Sequence, residues 1–309
     1  MARFSVGHLM PDVIVGTETG LYRLGDTAAA ELEGRNIVDV AIEPDGWWAI
    51  ADSAVVLHRE PEGAWEPTAS GEGRRLNCVG VTPSGLLLGT DRAHLLTVRG
   101  GTAEPVDGFE QAPGRADWYT PWGGPPDVRS IAVRGDTLFV NVHVGGILRS
   151  DDGGATWSPT IDIHSDVHEV VAAEDGTLFA ATAYGLAISR DDGGSWEVDD
   201  SGLHATYARA VAVSGDWVLM TSSLGPRGGD AGIFRRPLRG SGFEKVHDGL
   251  PEWFPQNLDT GCLAVHDGLV SLGTGDGRVF LSENHGAGWE QIAGELPPVN
   301  KVAFDASGP

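Results

Sequence analysis

The chain has 309 residues, with 21 Lys and Arg against 44 Asp and Glu, so its net charge is −23. This excess is spread along the whole length and argues against binding to nucleic acid or an anionic membrane, because phosphate contacts need clustered basic side chains. No stretch approaches the roughly 18 apolar residues that span a bilayer.

The first eleven residues, Met1 to Pro11, contain no sustained apolar leader, and the only two cysteines, Cys78 and Cys262, sit in apolar runs. They are expected to be buried, reduced thiols, and the protein is expected in the cytoplasm.

Residues 12–24 read as two short strands joined by a tight turn, with no strand before them. From Val38 to Gly46 and from Asn77 to Gly85, alternating apolar residues run into a Gly-containing turn. The same unit returns at Arg129–Asp136, His168–Gly176, Arg209–Asp216 and Gly261–Gly268. Alternation rich in Val and Ile, bounded by Gly and Asp, marks strands rather than helices. The repeats fall near 36–67, 76–106, 127–159, 166–198, 207–246 and 260–292, a spacing of roughly 40 residues with longer loops in places, which is the period of a four-stranded propeller blade. Asn300–Phe304 matches a first strand with nothing after it. It completes the orphan pair at 12–24 and closes a ring, leaving fewer exposed strand edges. The expectation is an all-β, seven-bladed β-propeller occupying residues 1–309 as one domain, or six blades if one degenerate repeat is loop.

Three octapeptides punctuate the repeats: Ser150–Trp157, Ser189–Trp196 and Ser282–Trp289, with the shared pattern S-x-[DN]-x-G-x-[TSG]-W. In such a pattern Ser and Asp/Asn accept from backbone N–H groups, Gly supplies an unusual backbone angle, and Trp packs beneath the turn. Arg59–Trp65 and Arg236–Phe243 look like eroded copies. The octapeptides resemble the Asp-box (bacterial neuraminidase repeat) of sialidase-like and YVTN-like β-propellers. That resemblance covers nearly the whole chain and implies a structural role for the box rather than a chemistry.

Propeller topology sorts the remaining residues. First strands line the channel, and the turns between second and third strands share one face, here called the top, with the connections between blades. Asp107–Pro126, Thr160–Val167, Asp199–Thr206, Ser222–Ala231 and Asp248–Thr260 are the loops that break the period, and all are assigned to that face. Loops on one face of a repetitive scaffold are where binding residues collect. The residues leading the first strands are Asp127 and Arg129, Asp166 and His168, Tyr207 and Arg209, and Asp259. Asn141, His143, Tyr184 and Arg227 lie beside them on second-strand turns, and Asp162, His164 and His204 on the inter-blade loops. Polar groups at the mouth of a narrow channel are expected of a ligand pocket. His58, His247, His266 and His285 are expected to be solvated at edges or bottom turns.

Three readings follow. In the first, His143, His164 and His168, with Asp166 or Asp162 and with His204 also in reach, hold a divalent metal. His143, His168, His204, Tyr207 and Arg209 then form the catalytic centre of a hydrolase or lyase. Arg129, Asp127, Asn141, Arg227, Trp253 and Asp259 bind a small anionic or glycan-like substrate. In the second, implied by the sialidase resemblance, Arg129, Arg209 and Arg227 hold a carboxylate. Tyr207 or Tyr184, Glu169 or Glu252, and Asp127 or Asp166 then do glycosidase chemistry, although the early Arg-Ile-Pro motif is absent. In the third, the propeller is a non-catalytic scaffold, like Asp-box proteins that act as assembly factors, and Trp118, Trp122, Trp253 and Phe254 anchor a partner protein. A monomer is expected in each.

Overall fold

A computed structural model describes residues 10–25, 28–61, 63–173 and 175–305, so Met1 to Leu9 of the supposed leaderless start lie outside the described residues. Seven antiparallel four-stranded sheets form the seven blades of a β-propeller, and six of them are laid down in sequence order from the channel outward. Blade 1 is the composite one: Val299–Asp305 is its inner strand and pairs with Asp12–Thr17, followed by Gly20–Leu24 and Ala29–Glu31. Blades 2 to 7 begin at Ile37, Leu76, Val128, Val167, Val211 and Leu263. Six blades are excluded, because the weakest repeats still form complete sheets.

Apolar alternation places one set of side chains in each seam. Seven clusters result, one per seam: Ile14, Ile37 and Trp47 fill the seam between blades 1 and 2, and Val13, Val279 and Phe304 the closing seam between blades 7 and 1. The inner strands contact one another in cyclic order, so the closing strand is packed on both sides like any other. Outer strands are short; Ser158–Pro159 and Glu244–Lys245 have two residues each, which limits the unpaired edge they offer to other chains.

The three octapeptides adopt the same turn between third and fourth strands. Ser150 Oγ accepts from Gly154 N at 2.8 Å, Asp152 Oδ1 from Thr156 N at 2.8 Å, and Trp157 Nε1 donates to Gly154 O at 2.9 Å. The Ser and Asp/Asn bonds are repeated by Ser189 with Asp191 and by Ser282 with Asn284, and Trp289 Nε1 donates to Gly286 O at 3.1 Å, whereas Trp196 Nε1 is buried without a partner. In the two eroded copies an arginine stands where the serine would be. Arg59 reaches back to Glu31 at 2.8 Å and lies over the Trp47 ring, while the buried Arg236 ion-pairs with Asp199 of the preceding blade. His285 is not simply solvated: its Nδ1 lies 2.9 Å from Ser214 Oγ of blade 6.

One sequence assignment needs correction. The segment from Asp107 does not run straight to the top face. It forms a short helix, Asp107–Glu110, whose Phe109 is fully buried against Trp157 and Trp118. A Cβ at Gly108 would sit 2.1 Å from Ala155 O, so the chain first seats against the octapeptide turn of the next blade. Phe254 is therefore a core residue and not a surface anchor, buried edge-on against Phe280, while Trp118 is half-buried and packs on Phe109.

Candidate functional site

The site is built by a device repeated along the inner strands. Their second residue is bulged out of register with the second strand: Val38, Asn77, Arg129 and His168 have no opposite partner, and Asn300 occupies the same place in the closing strand. A bulge re-aims one side chain and leaves the alternation beyond it intact. In blade 6 the hydroxyl of Thr221 does similar work, accepting from Arg209 N and Ala210 N and donating to Leu258 O. Around the ring, a top-turn N–H bonds the carbonyl of a residue just before the inner strand of its own blade: His143 to Asp127 at 2.9 Å, Ala183 to Asp166 at 3.1 Å, Ser223 to Tyr207 at 3.0 Å. The periodicity places His143, Asp166 and His168 beside one another.

His143 Nε2 lies 2.9 Å from Asp166 Oδ1, and His168 Nε2 lies 3.7 Å from the same oxygen. The two rings are 5.5 Å apart between centroids. His168 is fully buried, and its Nδ1 is 2.6 Å from the carbonyl oxygen of Ala208, which can only accept. Nδ1 therefore carries the proton and Nε2 presents a lone pair. His168 Nε2, His143 Nδ1 and Asp166 Oδ1 are all buried without an aligned hydrogen-bond partner, as are both side-chain atoms of the fully buried Asn141.

Burial pushes the His168 imidazolium down to about 3, only partly offset by the Asp166 charge and the Ala208 carbonyl. Burial would raise the Asp166 carboxyl, but the close His143 imidazole and the charges of His168 and Arg129 hold it below the usual carboxylate range. Asp127 is raised by burial, against the pull of Arg129.

Contacts continue around the mouth. Trp122 lies 5.2 Å from the His143 ring, Tyr207 4.8 Å from His168, and the Arg209 guanidinium 5.4 Å from Tyr207. Arg209 is ion-paired with Asp259 and donates to Pro226 O at 3.2 Å. Arg129 differs. It is half-buried and lines the channel cavity, yet no ion pair or hydrogen bond of its side chain occurs among the described residues. Burial and the neighbouring Arg209 lower its guanidinium pKa, with Asp127, Tyr207 and Asp166 pulling the other way.

Below the mouth lies a cavity of about 380 Å³ walled by the inner strands. Its other polar groups are occupied with the fold. Asp39 accepts from Val79 N at 2.8 Å and pairs with Lys301 at 2.9 Å, and Ser130 accepts from Val170 N at 3.1 Å. Glu169 accepts from Val211 N and Gly261 N, joining three inner strands, and burial pushes its carboxyl up to about 7. These groups were not expected from the sequence to act as links between blades. A single acidic residue in each strand carried no signal of its cross-blade acceptor role.

Not every expected member joins the cluster. His204 is exposed, and its ring stacks on Phe234 at 5.3 Å and lies tilted against Trp253 at 4.5 Å, away from His143 and His168. Trp253 also lies under Lys245 Nζ at 3.5 Å, so both residues form a separate stack on blade 6. His164 is exposed and pairs with Tyr119 Oη at 3.1 Å, outside the group formed by His143, Asp166 and His168. Asp162 caps the turn at His164 N, and Arg227 is exposed on the turn whose carbonyls meet Arg209 and Asn257.

No family model matches the chain, and no curated protein matches it in sequence. Solved propellers do resemble it. A GH74 enzyme from Niastella koreensis shares 15% identity at a TM-score of 0.58 over 92% of this chain, which spans 47% of that enzyme's length. An ancestral GH74 enzyme gives 15% and 0.64, over 97% of this chain and 40% of its own. YCF48 bound to D1 peptide gives 17% and 0.58, over 93% and 86%. At these identities the likeness is one of fold alone.

Proposed function

We propose that the protein is a ligand-binding propeller whose site is the top mouth of the channel, and that it takes a small carboxylate-bearing molecule, acidic sugars included. The observation that carries this reading is Arg129, a half-buried guanidinium on the cavity wall with no anionic partner of its own, beside an Arg209 already neutralised by Asp259. A half-buried guanidinium left unpaired is matched best by a planar carboxylate that accepts two parallel N–H bonds. Tyr207, whose phenol acts on the Arg129 guanidinium, would orient the rest of such a ligand, and the unsatisfied buried amide of Asn141 lies opposite Ser130, next to Arg129 in the sheet. Turnover of that ligand as a hydrolase or lyase would fall to the imidazoles of His143 and His168. The octapeptide geometry supports kinship with Asp-box propellers, and this kinship adds nothing about substrate.

Calorimetric titration with a panel of small mono- and dicarboxylates tests the proposal. Binding that drops at least tenfold in Arg129→Met, which keeps the aliphatic stem, supports it. A panel without binders, or affinity unchanged by that substitution, overturns it.

A second reading has its own support. Tyr119 (41% exposed), Trp122 (67%), Tyr184 (59%) and Leu224 (61%) all lie on the top loops, and they make up four of the five exposed large hydrophobic residues among those described. Aromatic side chains in such a rim are the usual anchors of a protein contact. Co-purification of a partner that is lost in Trp122→Ser but kept in Arg129→Met would favour this scaffold reading.

A further inference from the structure

We infer that His143, Asp166 and His168 form a binding site for one divalent first-row transition metal. This inference stands independently of the carboxylate site at Arg129, because it rests on different atoms.

Three observations carry it. Ligand atoms from the three residues all lie within 4.8 Å of one another, with two of the separations at 2.9 and 3.7 Å. Metal bonds of about 2.1 Å place neighbouring ligands roughly 3.0 Å apart at right angles and about 3.4 Å apart in a tetrahedron. A shift of the order of an ångström at one imidazole therefore closes the set.

Second, the tautomer is already chosen. Metal-bound histidines hold their other nitrogen by donating it to a carbonyl or carboxylate. His168 does this with Ala208, leaving Nε2 as a fully buried lone pair with nothing to accept. An unprotonated nitrogen facing a carboxylate oxygen across 3.7 Å is an arrangement of two acceptors that a cation between them would satisfy.

Third, the backbone is held in an unusual conformation to deliver Asp166. A short 3-10 turn, Ile163–Ser165, ends at Asp166 with φ +49, a left-handed angle that few non-glycine residues adopt. The residues at the same point of the other repeats, Asn36, Arg75, Asp127 and Tyr207, do not share it. Asp52, Asp192, Asp230 and Asp267 also adopt it, so what sets Asp166 apart is its place beside the two imidazoles.

The donor set narrows the ion. Two imidazoles and one carboxylate suit Zn²⁺, Fe²⁺ or Mn²⁺, whereas Ca²⁺ and Mg²⁺ demand more oxygens. The two cysteines are not in the ligand group, so a thiolate-bound metal is not expected. Three protein ligands leave coordination positions for a water or substrate oxygen, as in catalytic rather than structural sites.

The test uses the untagged full chain, stripped of metal and titrated with Zn²⁺ alone, then with Co²⁺ as a spectroscopic probe. The expected result is one equivalent bound, with affinity falling at least a hundredfold in His143→Gln and in Asp166→Asn. Asn tolerates the left-handed backbone angle, so Asp166→Asn stays informative if a His168 variant does not fold. Arg129→Met should keep the metal, which separates this site from the carboxylate reading. Absence of Zn²⁺ binding in the wild type, wild-type affinity retained in the His143→Gln and Asp166→Asn variants, or a thiolate charge-transfer band with Co²⁺ would each overturn the inference.

Discussion

His168 donates through Nδ1 to the carbonyl of Ala208, 2.6 Å away across the seam between blades 5 and 6. Ala208 is itself fixed, since its N–H donates to Thr182 O at 2.9 Å. A fully buried imidazole is thereby locked in one tautomer by main-chain atoms that no side-chain substitution removes. Nitrogen-15 NMR of the metal-free protein should show His168 as a single species protonated at Nδ1 and bare at Nε2. Exchange between tautomers would contradict the geometry.

Arg236 and Asp199 form an ion pair that is almost inaccessible to water, with side-chain exposures of 2% and 14%. Removing one partner of such a pair strands the other. Arg236→Ala should cost about 3 kcal/mol in urea denaturation, several times the loss expected for the exposed pair Arg190–Glu197.

Gly249 has φ +76, and a Cβ there would lie 1.7 Å from Trp289 O. The neighbouring Asp248 carbonyl accepts from Trp289 N at 3.1 Å, so this contact docks blade 6 onto the octapeptide turn of blade 7. Gly249→Ala combines a disfavoured backbone angle with a main-chain collision. A loss of about 2 kcal/mol or more in chemical denaturation is the expected outcome.

The Thr221 hydroxyl holds the segment that presents Arg209. Replacing it with the near-isosteric valine leaves two N–H donors and the Leu258 carbonyl without their shared partner. Thr221→Val should destabilise the fold by about 1–3 kcal/mol. If the mouth binds carboxylates, it should also weaken that binding, with the two effects read separately by denaturation and calorimetry.

Acid should loosen the octapeptide turns. Hydrogen bonds from Thr156 and Ser150 hold the Asp152 carboxyl down from 3.8 to about 2, and those from Ser195 and Ser189 lower Asp191. A carboxyl whose pKa is depressed in the folded state stabilises fully above its unfolded value and loses that contribution as pH falls toward the folded one. Thermal midpoints should therefore fall between about pH 4 and pH 2. Asp152→Asn should flatten part of that slope without disrupting the turn, because Asn284 already makes the equivalent bond to Gly288 N at 2.8 Å in blade 7.

Blade number, blade boundaries and ring closure were legible in the residues alone. Strand alternation is a local property, and the tight turns demand Gly, Asp and Ser at fixed spacing, so each repeat announces itself even where one box residue has become arginine. The residues leading the inner strands were legible as a group for the same reason. What they do to one another was not. His143 and His168 look no different in sequence from His164 and His204, yet the bulge and the left-handed Asp166 turn bring only the first two onto a shared carboxylate. Arg129 and Arg209 are likewise equivalent in the repeat, and only the loop that carries Asp259 makes one of them paired and leaves the other unpaired. Pairing, burial and tautomer depend on side chains some 20 to 50 positions apart meeting across a blade seam. Local periodicity sets where each strand begins, but long-range contact decides which of its polar groups remain unsatisfied.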